Sequence, residues 1–133
     1  MSKDSVIKWM HAFSDCVRRE DYLGGKALFS PCVISFGSWT EEMHGIEELY
    51  AKQWSNVWPV TTSFEFDFTS ANYLFDKPCP ITQCVVTSIW SSKGLEVSKQ
   101  PKRSGRCTIV LNKDGDVWRA VHTHFSLTPN GEL

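Results

Sequence analysis

Val6, Trp9, Met10, Phe13 and Val17 recur at the three- and four-residue spacing of one helix face, which predicts an opening amphipathic helix. A shorter helix follows. Asp21 is placed to cap it, Leu23, Ala27 and Leu28 to face inward, and Pro31 to end it. Residues 32–37 read as a short strand. A third helix is predicted from near Gly45, with Glu47 and Glu48 in its first turn, where the helix dipole favours acids. Its inward stripe is Ile46, Leu49, Tyr50, Gln53, Trp54 and Val57, and Pro59 stops it.

After Pro59 the period changes from 3.6 to 2. Phe64, Phe66 and Phe68 alternate with Glu65 and Asp67, giving a strand with one buried and one wet face. Residues 81–91, 106–111 and 117–127 read as three more strands. Asp114-Gly115 between the last two is a strong hairpin signal. The stretch 91–104, with Lys93, Lys99, Lys102 and Arg103 around Gly94 and Pro101, reads as a solvated hairpin end, since no Gly-rich cradle opens a helix there. The predicted order is helix, helix, strand, helix, then four antiparallel strands. That is an α+β domain with helices gathered on one face of a curved antiparallel sheet, one domain over residues 1–133.

Composition narrows the function. The chain has 14 Lys+Arg against 15 Asp+Glu, which argues against a nucleic-acid binder or an anionic-membrane binder. No apolar run approaches the roughly 20 residues that span a bilayer, and the first residues lack a signal-peptide core. The expectation is a soluble, cytoplasmic protein. Five cysteines, Cys16, Cys32, Cys79, Cys84 and Cys107, form no Cys-x-x-Cys pair. They read as reduced, mostly buried thiols rather than a disulfide framework or structural zinc site, although Cys79 and Cys84 flank a turn across which they could meet.

The last strand carries the candidate chemistry. Strict alternation puts Trp118, Ala120, His122, His124 and Ser126 on one face and Val117, Val121, Phe125 and Leu127 on the other. His122 and His124 are candidate acid/base catalysts, because imidazole titrates near neutrality. Two readings compete with that one. In the first, one imidazole bonds the backbone or Ser126 while the other packs among aromatics. In the second, the His-x-His pair ligates a metal, with only Cys107 or His44 as distant further ligands. His11 reads as surface, His44 as a helix cap, and the six Trp as core volume.

Three signatures carry a family resemblance: Leu28-Phe29-Ser30-Pro31-Cys32-Val33, His44-Gly45-Ile46-Glu47-Glu48-Leu49, and the segment from Gly105-Arg106-Cys107-Thr108 through Asp114-Gly115 to Trp118-Arg119-Ala120-Val121-His122-Thr123-His124-Phe125-Ser126. With the order of elements, they resemble the SnoaL-like and ketosteroid-isomerase-like branches of the nuclear transport factor 2-like (cystatin-like) superfamily. The ending is also similar to the association domain of calcium/calmodulin-dependent kinase II. The resemblance implies a cone in which a bent sheet wraps the first helix and leaves a pocket. It also implies a homodimer paired through the outer face of the sheet, where Thr108, Val110, Val121, Thr123 and Phe125 would lie.

Steroid isomerisation is not implied. The positions that resemble the isomerase's base, tyrosine and second acid are Gly37, Phe13 and Cys107, and Gly and Phe carry no proton to transfer. The acid/base carboxylate of SnoaL-type cyclases falls on a final strand that here has no Asp or Glu between Asp116 and Glu132. His122 or His124 would stand in for it. The implied pocket is lined by Trp9, Phe13, Tyr50, Trp54, Cys107, Ile109, Leu111 and Trp118 together with the two histidines. It suits a small hydrophobic or aromatic molecule. Such a domain, if catalytic, would be a cofactor-independent isomerase, dehydratase or cyclase. The alternative is a non-catalytic dimerisation or ligand-sensing module.

Overall fold

A computed structural model describes residues 2–38, 41–77, 80–93 and 103–128. Helix α1 (Ser2–Arg19) carries the predicted stripe, with Val6, Trp9, Met10, Phe13 and Val17 all buried. Helix α2 (Tyr22–Ala27) is capped by Asp21, whose side chain accepts from the Gly24 N–H at 2.9 Å. Its inward residues differ from expectation: Leu23 is 82% exposed, and Gly25 packs against the Trp54 and Trp58 rings instead. The helix ends at Ala27, before Pro31, which lies inside strand β1 (Phe29–Phe36).

Strand β2 (Glu42–His44), which the sequence pattern does not signal, pairs with β1. Gly45 then turns the chain at φ 87°, a backbone region favouring glycine, into α3 (Ile46–Leu49). A π turn (Tyr50–Trp54), α4 (Ser55–Val57) and a 3₁₀ turn (Trp58–Val60) continue the same run, and Pro59 sits in that last turn. Four long strands follow: β3 (Glu65–Phe75), β4 (Gln83–Ser92), β5 (Arg103–Asp114) and β6 (Val117–Leu127).

The six strands form one sheet in the order β2-β1-β6-β5-β4-β3. The expected antiparallel sheet is in fact mixed, because β1 runs parallel to β6. The core lies between its concave face and the helices. Phe13 is at its centre, within 6.5 Å of the rings of Trp9, Phe29, Trp54, Trp58, Phe64, Phe66 and Phe125. Five of the six tryptophans are buried, and Trp39 lies outside the described residues.

One irregularity decides which side chains reach the core. Leu111 pairs with Ala120 but Val110 pairs with His122, so Val121 is an extra residue, a β-bulge. Trp118 and Ala120 point inward as alternation requires. Beyond the bulge the phase is reversed: Thr123 is 2% exposed, while His122 and His124 face outward. Four of the expected pocket and outer-face positions on β6 are therefore corrected. His122 and His124 do not face the core, and Thr123 and Phe125 do not lie on the outer face. Val121 is the half-buried bulge residue itself.

Candidate functional site

Between the sheet and the third helical run lies a cavity. Its empty space, open mouth included, is ≈ 520 Å³, of which ≈ 50 Å³ is wide enough for the centre of a water molecule. Aromatic rings make nearly half of its wall: Phe13 from α1, Phe29 from β1, Trp54 and Trp58 from the third helical run, Phe64, Trp90 from β4 and Phe125 from β6. The π turn presents both Gln53 and Trp54 to this space. Such one-residue insertions in helices are frequent at functional sites.

Five neutral polar side chains and one cation interrupt the wall: Ser35, Ser38, Gln53, Thr61, Thr123 and Arg103. Ser35 and Thr123 are opposite one another in the parallel β1–β6 pair, and their buried hydroxyls hydrogen-bond to each other. Gln53 lays its amide where a side chain at position 37 would begin, so any larger residue there would displace that amide. Thr61 donates its hydroxyl to the Val57 carbonyl at 2.6 Å and accepts from Arg103 Nη2 at 3.3 Å. The Arg103 guanidinium also sits 5.8 Å from the Trp90 ring centre, and burial pushes its pKa below the usual arginine value. The Trp90 indole crosses β5 to donate to the Ser126 carbonyl at 3.3 Å, over Gly105, where any Cβ would meet both groups.

The residues expected to line a pocket divide. Phe13 and Trp54 line the cavity. Trp9 is buried beside it, stacked on Phe13 and donating from Nε1 to the Leu28 carbonyl at 3.0 Å. Ile109, Leu111 and Trp118 belong to the packed core, where Trp118 Nε1 donates to Ser5 Oγ at 2.8 Å. Burial holds the Cys107 thiol protonated, its pKa pushed up to about 12. Tyr50 is turned away, edge-on to Tyr22 with the Lys26 ammonium 4.2 Å from its ring centre. Cavity-lining Ser35, Thr61, Trp90, Arg103, Thr123 and Phe125 are absent from the expected set. One signal could have found Arg103: the period that buries Gly105, Cys107, Ile109 and Leu111, extended back two residues, turns Arg103 inward.

On the outer face His122 donates Nδ1–H to the Ile34 carbonyl at 2.8 Å, since a carbonyl only accepts. Both imidazoles meet the Phe36 ring edge-to-face, at 5.1 and 5.3 Å. One histidine is thus bonded to the backbone, and both rings pack against the same aromatic ring on the outer face. His44 is exposed, hydrogen-bonded to Glu42 rather than capping a helix, and His11 is exposed and stacked on Phe68. Among the described residues no three His, Cys, Asp or Glu side chains are grouped to hold a metal ion. Cys16, Cys32, Cys84 and Cys107 are free, and Cys79 lies outside the described residues. No helix of the described residues is long and apolar enough to cross a membrane.

A sequence model of the SnoaL-like domain matches residues 6–130. The chain belongs to the SnoaL-like family. No curated protein sequence matches it. Solved structures agree on the fold. A nuclear transport factor 2-like protein of unknown function from Pseudomonas putida superposes with TM-score 0.75 at 16% identity, covering 98% of this chain and 89% of that one. A provisional dehydratase of the same superfamily from Streptomyces avermitilis gives 0.74 at 16%, covering 94% and 95%. A provisional scytalone dehydratase from Novosphingobium aromaticivorans gives 0.75 at 14%, covering 96% and 85%. At these identities the likeness establishes a shared SnoaL-like, nuclear transport factor 2-like fold, with helices packed on a curved sheet.

Proposed function

We propose that this SnoaL-like domain binds a small, largely hydrophobic molecule bearing one polar group, in the cavity between the sheet and the third helical run. The observation that carries this reading is the composition of the wall. Aromatic rings enclose the space, and a few polar side chains (Ser35, Gln53, Thr61, Arg103, Thr123) converge on it, as in small-molecule sites generally. Size limits the ligand. The open interior is about a third of the roughly 150 Å³ that accommodates benzene in an apolar core. The aromatic side chains that promised a deep pocket fill much of it themselves.

The two dehydratase-like structures support dehydration as a reaction of such a site, beside the isomerisation or cyclisation that the family resemblance implies. His122 and His124 are not its acid/base pair in this reading, because they lie across the sheet from the cavity. The same reading takes the outer face of the sheet as a homodimer surface. Ile34 (38% exposed), Ile89 (43%) and an open groove between Asn72 and His124, with ≈ 830 Å³ of empty space, support it.

Acetone, four heavy atoms with one acceptor, tests the binding site. Titration followed by amide shifts is expected to perturb Val17, Ser35, Trp54 and Phe125 together at saturable concentrations. Shifts scattered over the surface, or none, would contradict the proposal.

A further inference from the structure

On the inner face of the sheet Met43, Ser35, Thr123 and Ile109 follow one another across β2, β1, β6 and β5. Met43 and Ile109 are apolar, and so are Val33 and Ala120, the inward residues that precede the pair on its own strands. Ser35 and Thr123 are 1% and 2% exposed, and both line the cavity. Two hydroxyls carry two protons, and their mutual hydrogen bond uses one of them. Whichever oxygen donates, the other keeps an O–H, and none of the described residues accepts it. A buried donor left unmet loses the solvation of its proton, whereas spare lone pairs on an oxygen that is already bonded are tolerated more readily. Packing does not require the pair, because apolar groups of the same shape would fill these two positions at little or no cost.

We propose that Ser35 and Thr123 are the cavity's polar anchor and that its ligand is a small ketone or aldehyde, whose carbonyl oxygen accepts the pair's second proton. This rests on the cavity being the binding site and goes further by naming the ligand's polar group and its place on the wall. A carbonyl suits the position for two reasons. Its oxygen is terminal and meets a recessed donor end-on, and it brings no proton that would need an acceptor of its own. The rings of Phe13, Trp54 and Phe125 line the same space and take the apolar part. That part is short, because the ≈ 50 Å³ of open interior takes only a few carbon atoms before the rings must move. Either oxygen can offer the proton, so a test has to remove both hydroxyls together.

Acetone, isobutene and 2-propanol share a branched outline of four heavy atoms. They present, in turn, an acceptor, no polar group, and an acceptor with a proton of its own. Amide-shift titrations of the parent protein are expected to show acetone bound more tightly than 2-propanol. Ser35→Ala/Thr123→Val is expected to weaken acetone binding roughly fivefold, the loss of one neutral hydrogen bond, and to leave isobutene within about twofold. In the unaltered protein the carbon-13 carbonyl resonance of bound acetone is expected downfield of its position in hexane, a reading that does not depend on a variant folding. Acetone and isobutene weakened equally or not at all by the double substitution, or a carbonyl resonance at the hexane position, would overturn the anchor and leave the cavity proposal intact. Binding of 2-propanol as tight as that of acetone would overturn the carbonyl class. Absence of binding by both acetone and isobutene to the parent protein would overturn the cavity proposal as well.

Discussion

Asp76 is exposed at the turn between β3 and β4, yet its carboxylate accepts from the Thr82 N–H at 3.0 Å, the Thr82 hydroxyl at 2.5 Å and the Gln83 N–H at 3.0 Å. These bonds, the Thr82 hydroxyl foremost, lower its pKa from the ordinary 3.8 to about 2. The folded pKa is thus below the unfolded one. The stabilisation is present in full above the unfolded value and is lost as pH falls through about 2. The melting temperature of Asp76→Ala is therefore expected to lie below that of the parent protein near neutrality, the gap closing between about pH 4 and pH 2. A pH-independent gap would refute this role. Individual residues were unevenly legible. Phe13 and Trp54 were readable as inward because a helical stripe fixes their direction, and the family resemblance placed them at a pocket. Arg103 was hidden by its setting, since Lys99, Lys102 and Gly94 gave the segment the character of a wet loop.

At the scale of elements, periodicity located the helices and the four long strands but not the two insertions that aim the site. Val121 adds one residue to β6 and the π turn adds one to the third helical run, each shifting the phase of everything after it. Nothing in Val121 itself announces a bulge, because valine is an ordinary strand residue. Its effect is to let Ala120 and Thr123 both point inward, with Val121 and His122 both on the outer side. Removing Val121 should restore regular pairing without turning either half of β6 over. Deletion of Val121 is expected to cost no more than about 2 kcal/mol in urea unfolding. Deletion of Thr108 from regular β5 should abolish cooperative folding, since it would turn half that strand inside out. Comparable losses from the two deletions would refute the bulge assignment.

At the scale of the molecule, the fold was legible almost entirely, because the order of elements and the Gly105-to-Ser126 segment carried it. The parallel β1–β6 pairing was not, since strand partners distant in sequence leave no local trace. In the proposed function the two faces of the sheet do different work, cavity on one side and pairing surface on the other. Light scattering is expected to give a homodimer, and Ile89→Lys a folded monomer, as a buried charge on the outer face costs several kcal/mol unless paired. A monomeric parent protein would refute the pairing surface. The central claim is that binding resides in the cavity and not at the histidine pair across the sheet. The most direct test is the acetone dissociation constant of two variants: His122→Ala/His124→Ala, which alters the outer face, and Val57→Trp, which fills the cavity wall. Expected are an affinity within about twofold of the parent for the first and a loss of at least roughly tenfold for the second. The reverse pattern, binding lost with the histidines and kept with the cavity filled, would contradict it.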